Sequence, residues 1–473
     1  MNRAQIPYKL IVSILIPLLL LLIPAHWIPL DGISLVEQRV LALFVLAALF
    51  WVLEPIPIFA TSILIITLEL ILISNKGFLP FRAGAPERLG PLLDYKSIMG
   101  TFASPIIILF LGGFFLAMAA TKYRLDQNLA RVLLRPFGQN PRYVMMGLML
   151  ITAIFSMFMS NTATTAMMLS ILVPVLAVFD AGDKGRVAYA LCIPIAANIG
   201  GIGTPIGTPP NAIALKYLTG ENTISFGEWM GFGVPFVIIL LLISWYLLQL
   251  FYPIKTERIQ LSIKGRFLKN RKAMIVYFTF GITILLWLTD FLHGMNAYIV
   301  ALIPVAVFLS TKIITKEDLK LLSWDVLWLV SGGIALGLAL EESGLAARLV
   351  NSIPFAAFPA YLIMVLACVI ALLMANFMSN TATANLLLPI IAALGVSLTS
   401  LEGLGGAKVL ILSATLASSL GMALPISTPP NALAHATGEL QTADLSRMGV
   451  YIGLIGLLLV LFFMFILKLV NFV

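Results

Sequence analysis

The runs Leu10–Ile23, Val234–Leu250 and Ile452–Leu467 contain no charged residue. Each approaches the roughly 20 residues that a helix, rising about 1.5 Å per residue, needs to cross a bilayer. A soluble core has no use for so many such runs. Of the 473 residues 60% are hydrophobic and 11% charged, against about 25% charged in an ordinary soluble domain. Closed β-barrels are the other way to span lipid, but the strict apolar–polar alternation they need is absent. The chain therefore reads as an all-α integral membrane protein with the lipid bilayer as its solvent.

Arg3 and Lys9 before the first apolar run admit a signal peptide, but no small-x-small cleavage pattern follows, and a first transmembrane helix is the better reading. Cys192 and Cys368 both lie in apolar segments, which gives no basis for a disulfide framework. The net charge of +8 sits in short loops between spans, a pattern that sets orientation and does not point to nucleic acid.

Spans are predicted near 10–29, 36–53, 57–74, 104–121, 186–218, 229–251, 273–292, 296–314, 325–341, 407–437 and 447–470, about eleven crossings in all. Two more apolar stretches, 142–178 and 359–395, are too long for one crossing and broken by polar residues, so they read as re-entrant hairpins. The loop 122–142 sets Lys122, Arg124, Arg131, Arg135 and Arg142 against Asp126 alone, and 252–272 is similarly basic. Both are expected in the cytoplasm, as is the N-terminus. The threading puts the segment 341–360 outside, so the two halves are expected to be inverted. The organisation expected is an N-terminal helix in 1–35, a first repeat in 36–253 with its hairpin on the cytoplasmic side, a basic cytoplasmic linker in 254–272, and a second repeat in 273–473 with its hairpin on the outer side.

Self-similarity carries the functional reading. Phe158–Thr164 reads FMSNTAT and Phe377–Thr383 repeats it; Pro205–Ala212 reads PIGTPPNA and Pro425–Ala432 reads PISTPPNA. Ser160 precedes Thr208 by 48 residues, Ser379 precedes Thr428 by 49, and the pairs Gly112–Gly113 and Gly332–Gly333 lead each set. Any one motif could be a packing serine or a proline kink. Two motifs recurring in register across an inverted repeat point to a transporter site at the repeat interface.

The chemistry suits that role. Ser, Asn and Thr offer donors and acceptors without fixed charge, and a hydroxyl capping the outgoing hairpin arm leaves a helix N-terminus for an anion. Paired prolines forbid a regular helix, freeing the carbonyls of Gly207 or Ser427 and their predecessors for a hard cation, while Thr208 and Thr428 can turn to substrate. No Arg or Lys lies within the four motifs, so an anion would be neutralised by helix termini and co-bound cations, which links substrate affinity to ion occupancy.

Glu69 is the most conspicuous acid in an apolar run; it could carry a proton, but its place near a span end favours an interfacial position. His435, four residues after Asn431 where the first half has Leu215, reads as a packing histidine. No metal-ligand spacing, nucleophile constellation, Walker loop or dinucleotide fingerprint appears, which argues against an enzyme.

In its paired SNT and TPPN motifs the chain resembles the divalent anion/sodium symporter family of dicarboxylate and citrate carriers. The resemblance implies a homodimer with eleven transmembrane helices and two hairpins per protomer, moving a transport domain by an elevator mechanism, with linking arms at 122–138 and 342–353. It places substrate on Ser160, Asn161, Thr162, Thr208, Ser379, Asn380, Thr381, Thr428 and Pro429. One Na+ site would use Ser156, Ser160, Asn161 and Gly207, and the other Ala375, Met378, Asn380, Ser427 and Pro429. Ala375 answers Ser156 in the second half, so a side-chain ligand is lost there. The function expected is Na+-coupled symport of C4-dicarboxylates such as succinate, fumarate or malate across the plasma (inner) membrane. The alternatives are a Na+-independent di- or tricarboxylate exchanger and a sulfate or citrate carrier.

Overall fold

The computed structural model describes residues 6–180, 182–259 and 266–472. Lys264 and its neighbours in 260–265, part of the expected basic linker, lie outside the described residues. The described chain is helical, and no strand occurs in it beyond one isolated bridge between Ser74 and Leu93.

The first half opens with α1 (Ile6–Leu22), α2 (Leu35–Leu53), α3 (Ile58–Leu72) and α4 (Pro105–Lys122). The short amphipathic α5 (Leu125–Leu134) leads into a hairpin of α6 (Pro141–Phe158) and α7 (Asn161–Leu176). One broken helix follows as α8 (Gly185–Gly200) and α9 (Pro209–Tyr217), and α10 (Phe226–Phe251) closes the half. The second half repeats the plan. After α11 (Arg271–Leu288) and α12 (Ala297–Ser310) come α13 (Trp324–Glu342) and a short arm, α14 (Leu345–Asn351). The second hairpin is α15 (Ala360–Phe377) with α16 (Asn380–Ser397), the second broken helix α17 (Gly406–Ser419) with α18 (Pro429–Ala436), and α19 (Thr442–Leu469) ends the fold.

Ten of the described helices have the length and apolarity to cross a membrane. Their ends are set by small polar residues: Ser34 and Ser225 form capping boxes with Glu37 and Glu228, which satisfies N–H groups that lipid could not. Each hairpin packs on the first piece of its own half's broken helix, and the halves also interlock, α7 lying against α18 and α9 against α16. The two Gly-Gly pairs make this interlock possible. A Cβ at Gly112 would meet the Ala301 carbonyl oxygen of α12 at 2.4 Å, and one at Gly332 the Ser62 Cβ of α3 at 2.3 Å. Their partners face the other way, Gly113 toward Ile206 and Gly333 toward Asn385. Each pair thus sits between a flanking helix and the elements that carry the repeated motifs.

Glu69, placed near a span end by the sequence, is fully buried within the protein, because α3 lies along α13 and both helices present small or branched residues to the seam.

The start of the 254–272 segment is fastened to the hairpin base through Asp183. Its carboxylate accepts hydrogen bonds from the Gly185, Lys255 and Thr256 amides and from the Thr256 hydroxyl, at 2.7–3.2 Å. Burial alone would raise the Asp183 carboxyl, but these four bonds outweigh it and hold the group below its ordinary value. A depressed carboxylate contributes stability that is present above its unfolded value and lost as pH falls through the folded one. Asp183→Ala should therefore cost about 1–3 kcal/mol, read as a lower Tm and faster tryptic cleavage in the basic segment. Unchanged cleavage would show that the clasp does not hold that segment.

Candidate functional site

Ser160 and Ser379 sit at the tips of the two hairpins, and each accepts a hydrogen bond from the amide three residues on, Ala163 at 3.2 Å and Ala382 at 3.1 Å. With the serines as N-caps, the first amides of α7 and α16 are left unbonded within their helices. The broken helices resume at Pro209 and Pro429 behind the N-cap threonines Thr208 and Thr428. Proline at the first two helical positions loses only donors that have no partner there. Thr428 accepts from the Asn431 amide at 3.4 Å, whereas Thr208 makes no capping bond and keeps its hydroxyl available.

These four helix starts surround a cavity of about 370 Å³. It is lined by Ser160, Asn161, Thr162, Thr208, Ser379, Asn380, Thr381, Thr428 and Pro429, every residue that the family resemblance implies for substrate. Four positive helix ends aimed at one space favour an anion. Phe110, Phe114, Ile58 and Phe59 supply an apolar wall, which fixes orientation by exclusion. His435 is not among the lining residues; its ring lies 3.4 Å from the Thr442 hydroxyl.

Behind the first tip, oxygens converge. The fully buried Ser156 hydroxyl lies 2.6 Å from Asn161 Oδ1 and 2.7 Å from the Ala197 carbonyl. A Cβ added at Gly201 would stand 2.8 Å from Asn161 Oδ1, 2.9 Å from the Gly207 carbonyl and 3.0 Å from Asn161 Nδ2, too close for a methyl group. The backbone at Gly201 thus lies tight against a cradle of uncharged oxygens, those of Ser156, Asn161 and Gly207, of the kind a hard cation takes. Among the described residues no group of three His, Cys, Asp or Glu forms a site for a transition metal.

The second tip differs. Ala375 stands where the first half has Ser156 and offers no hydroxyl; its Cβ lies 2.4 Å from where a Gly421 Cβ would stand. The Asn380 amide nitrogen donates to the Ser418 and Gly421 carbonyls at 3.2 and 3.1 Å. Ser427 lies beside this group, but its hydroxyl donates to the Asn376 carbonyl at 2.7 Å, leaving its own carbonyl as the available oxygen. Met378 is buried behind the tip.

Several residues that organise the site escaped the sequence reading. The Asn211 amide donates to the Gly201, Ile202 and Thr204 carbonyls, and Asn431 does the same for Met422 and Leu424. Asn198 donates to Asn431 Oδ1 at 3.1 Å, a bond between the halves. Both asparagines stand in the quoted PPN motifs, and the signal that could have found them is the need for a donor wherever a broken helix bunches carbonyls.

Asp325, at the start of α13, is the one ionisable residue on the cavity wall. An exposed carboxylate opposes any anion drawn to these helix ends only modestly, because water screens it. Asp325→Asn should therefore tighten anion binding roughly two- to fivefold, read by titration calorimetry. Weaker binding would mean that Asp325 instead recruits the cation.

The family model described as sodium:sulfate symporter transmembrane region matches residues 5–470. A sodium-dependent dicarboxylate transporter of Staphylococcus saprophyticus is 32% identical over 97% of this chain and 91% of its own length. A sodium-dependent high-affinity dicarboxylate transporter of Caenorhabditis elegans is 29% identical over 88% and 81%. Two solved structures share the fold at low identity. The YdaH transporter of Alcanivorax borkumensis has a TM-score of 0.54 at 12% identity, covering 79% of this chain and 87% of that one. MtrF of Neisseria gonorrhoeae has 0.50 at 13%, covering 86% and 94%.

Proposed function

Because the chain belongs to the sodium:sulfate symporter transmembrane family of membrane transporters, we propose that it takes up C4-dicarboxylates such as succinate, fumarate or malate by Na+ symport. The observation that carries this reading is the cavity itself: two hairpin tips and two broken helices, one of each from either half, meet around one space with no cationic side chain on its wall. The names of the relatives, sodium-dependent dicarboxylate transporters, support the same ion and substrate class.

In this reading Ser160, Asn161 and Thr162 hold one carboxylate, and Ser379, Asn380 and Thr381 the other. Thr208, Thr428 and Pro429 close the sides. Na+ occupies the cradle formed by Ser156, Ser160, Asn161 and Gly207, and a second Na+ lies among Ala375, Met378, Asn380, Ser427 and Pro429, where backbone oxygens do the work. The ions neutralise the substrate that the helix ends attract, so neither binds well alone. The protein works as a homodimer in the plasma (inner) membrane with its N-terminus in the cytoplasm. Its two inverted repeats, 36–253 and 273–473, carry the site past a fixed scaffold in an elevator movement, with the basic segment 254–272 on the cytoplasmic side.

Labelled succinate flux into proteoliposomes tests the proposal. Accumulation should require an inward Na+ gradient, and uptake that ignores Na+ but needs an internal anion would replace symport by exchange. One observation favours that second reading: Ala375 puts a methyl where the first site has a hydroxyl. Sulfate and citrate belong in the same assay as competitors.

A further inference from the structure

A second polar site lies away from the cavity. Glu69 of α3 is fully buried, and neither of its carboxylate oxygens has a hydrogen-bond partner among the described residues. The charged groups on the elements packed around α3 are engaged elsewhere. Glu37 pairs with Arg348 at 2.7 Å, and Arg39 donates to the Leu72 and Phe81 carbonyls. Asp94 accepts from Asn75, Lys96 is exposed, Asp325 faces the cavity, and Glu341 and Glu342 stand at the end of α13.

Lys216 of α9 reaches α13, the helix that packs along α3 and buries Glu69: its ammonium lies beside Ile334 and Gly337. Lys216 does not close onto the carboxylate. Its ammonium donates to the Ile334 carbonyl at 2.8 Å and lies 5.1 Å from the centre of the Tyr217 ring. The passage it occupies exists because residue 337 is glycine: a Cβ there would stand 2.1 Å from the Tyr217 hydroxyl and 2.9 Å from Lys216 Nζ.

An ionised carboxylate with no donor in a dry interior costs several kcal/mol, whereas a proton on the oxygen removes most of that cost. We propose that Glu69 is a proton-binding site that gates the transport cycle, loaded in the conformation described here and emptied only when Lys216 or water reaches it. The link to transport is mechanical. Lys216 rides on the same short helix that begins at Thr208 and Pro209, so a rearrangement of the substrate site that displaces this helix moves a cation relative to α13 and the carboxyl buried against it. The proposal does not depend on which anion is carried.

Infrared difference spectra of the purified protein, wild type against Glu69→Gln, provide a test that needs no substrate. A protonated-carboxyl band should persist in the wild type at neutral pH and be missing from the variant; absence of the band in the wild type overturns the proposal. Lys216→Met should extend the band to more alkaline pH, and this comparison stands even if Glu69→Gln fails to fold. Succinate uptake in proteoliposomes gives the functional arm, because the titration of succinate itself is common to both proteins. Wild-type rates should change with pH by up to about tenfold per unit, the limit for one proton. The variant should keep only the pH dependence that the titration of succinate itself imposes, with rates that converge on those of the wild type at the acid end. A variant with the wild-type pH profile would also overturn the proposal.

Discussion

Replacing Gly207 by alanine is expected to abolish Na+-driven uptake while leaving a folded, membrane-inserted protein. The added Cβ would stand 2.4 Å from the Gly201 carbonyl oxygen and 2.9 Å from the Gly201 Cα. Both are backbone atoms within a turn bound by Asn211, so no flexible side chain can yield. Overpacking of this kind costs about 1–3 kcal/mol, which a protein of this size survives. The cradle does not, because its oxygens come from the two strands of the turn being forced apart. Gly201→Ala attacks the same cradle by a different route: its Cβ would stand 2.8 Å from Asn161 Oδ1 and 2.9 Å from the Gly207 carbonyl, pushing away two of the oxygens proposed to hold the cation.

Both variants should lose Na+ affinity by roughly 10- to 100-fold, measured by the Na+ dependence of thermal shift and of succinate flux. Gly281→Ala is the control, since nothing lies within 4 Å of its added Cβ, and it should behave as wild type. If Gly207→Ala and Gly201→Ala both kept normal Na+ dependence, the first cation site would have to be placed elsewhere. Loss in Gly201→Ala alone would keep the cradle and remove only the Gly207 carbonyl from it.

Much of this site could be read from the sequence because its side chains are unusual for their surroundings. A Ser-Asn-Thr run inside an apolar stretch has few uses, and its repetition with matching spacing to TPPN fixed both hairpin tips and both broken helices. All nine residues that the family resemblance implies for substrate line the cavity. What could not be read belongs to the backbone or to contacts across the fold. The Ala197 carbonyl beside Ser156 carries no signature, since any residue supplies one. Glu69 looked interfacial from its distance to a span end, because burial depends on α13, which arrives more than 250 residues later. Asp325 opens α13 at the cavity wall, and only the folded chain brings that helix end to the hairpin tips.

The asymmetry between halves was visible in part. Gly207 against Ser427 reads as a small change, but the structure shows an exchange of tethers. In the first half the Thr204 hydroxyl donates to the Met157 carbonyl; in the second, Ser427 donates to the Asn376 carbonyl. Residues 157 and 376 hold equivalent positions three before the tip serines Ser160 and Ser379, so each unwound turn is tied to the same carbonyl by a hydroxyl from a different place. Conservation of a bond by different residues leaves no pattern for a sequence comparison to find.

Asn211→Ala is expected to separate the stability of the broken helix from its function. The Asn211 amide donates to three carbonyls, those of Gly201, Ile202 and Thr204, at 2.8–3.2 Å. In membrane proteins side-chain bonds of this kind average about 0.6 kcal/mol each, so the variant should lose only about 2 kcal/mol and still fold. The function should suffer more. Freed carbonyls rotate toward whatever donor is near, and the Gly201–Gly207 turn loses the shape that gathers oxygens at the cradle. Na+ affinity should fall roughly 10- to 100-fold, and succinate affinity should fall with it at low Na+ but recover toward wild type when Na+ is raised. That recovery distinguishes an organising residue from a substrate ligand, for which added Na+ would not compensate. Asn431→Ala should do more harm than Asn211→Ala. It loses two carbonyl bonds and also the Asn198 bond that joins the halves, whereas Asn211 Oδ1 has no such partner. If Asn431→Ala proved the milder of the two in thermal shift and flux, the bond between the halves would have no part in holding the site together.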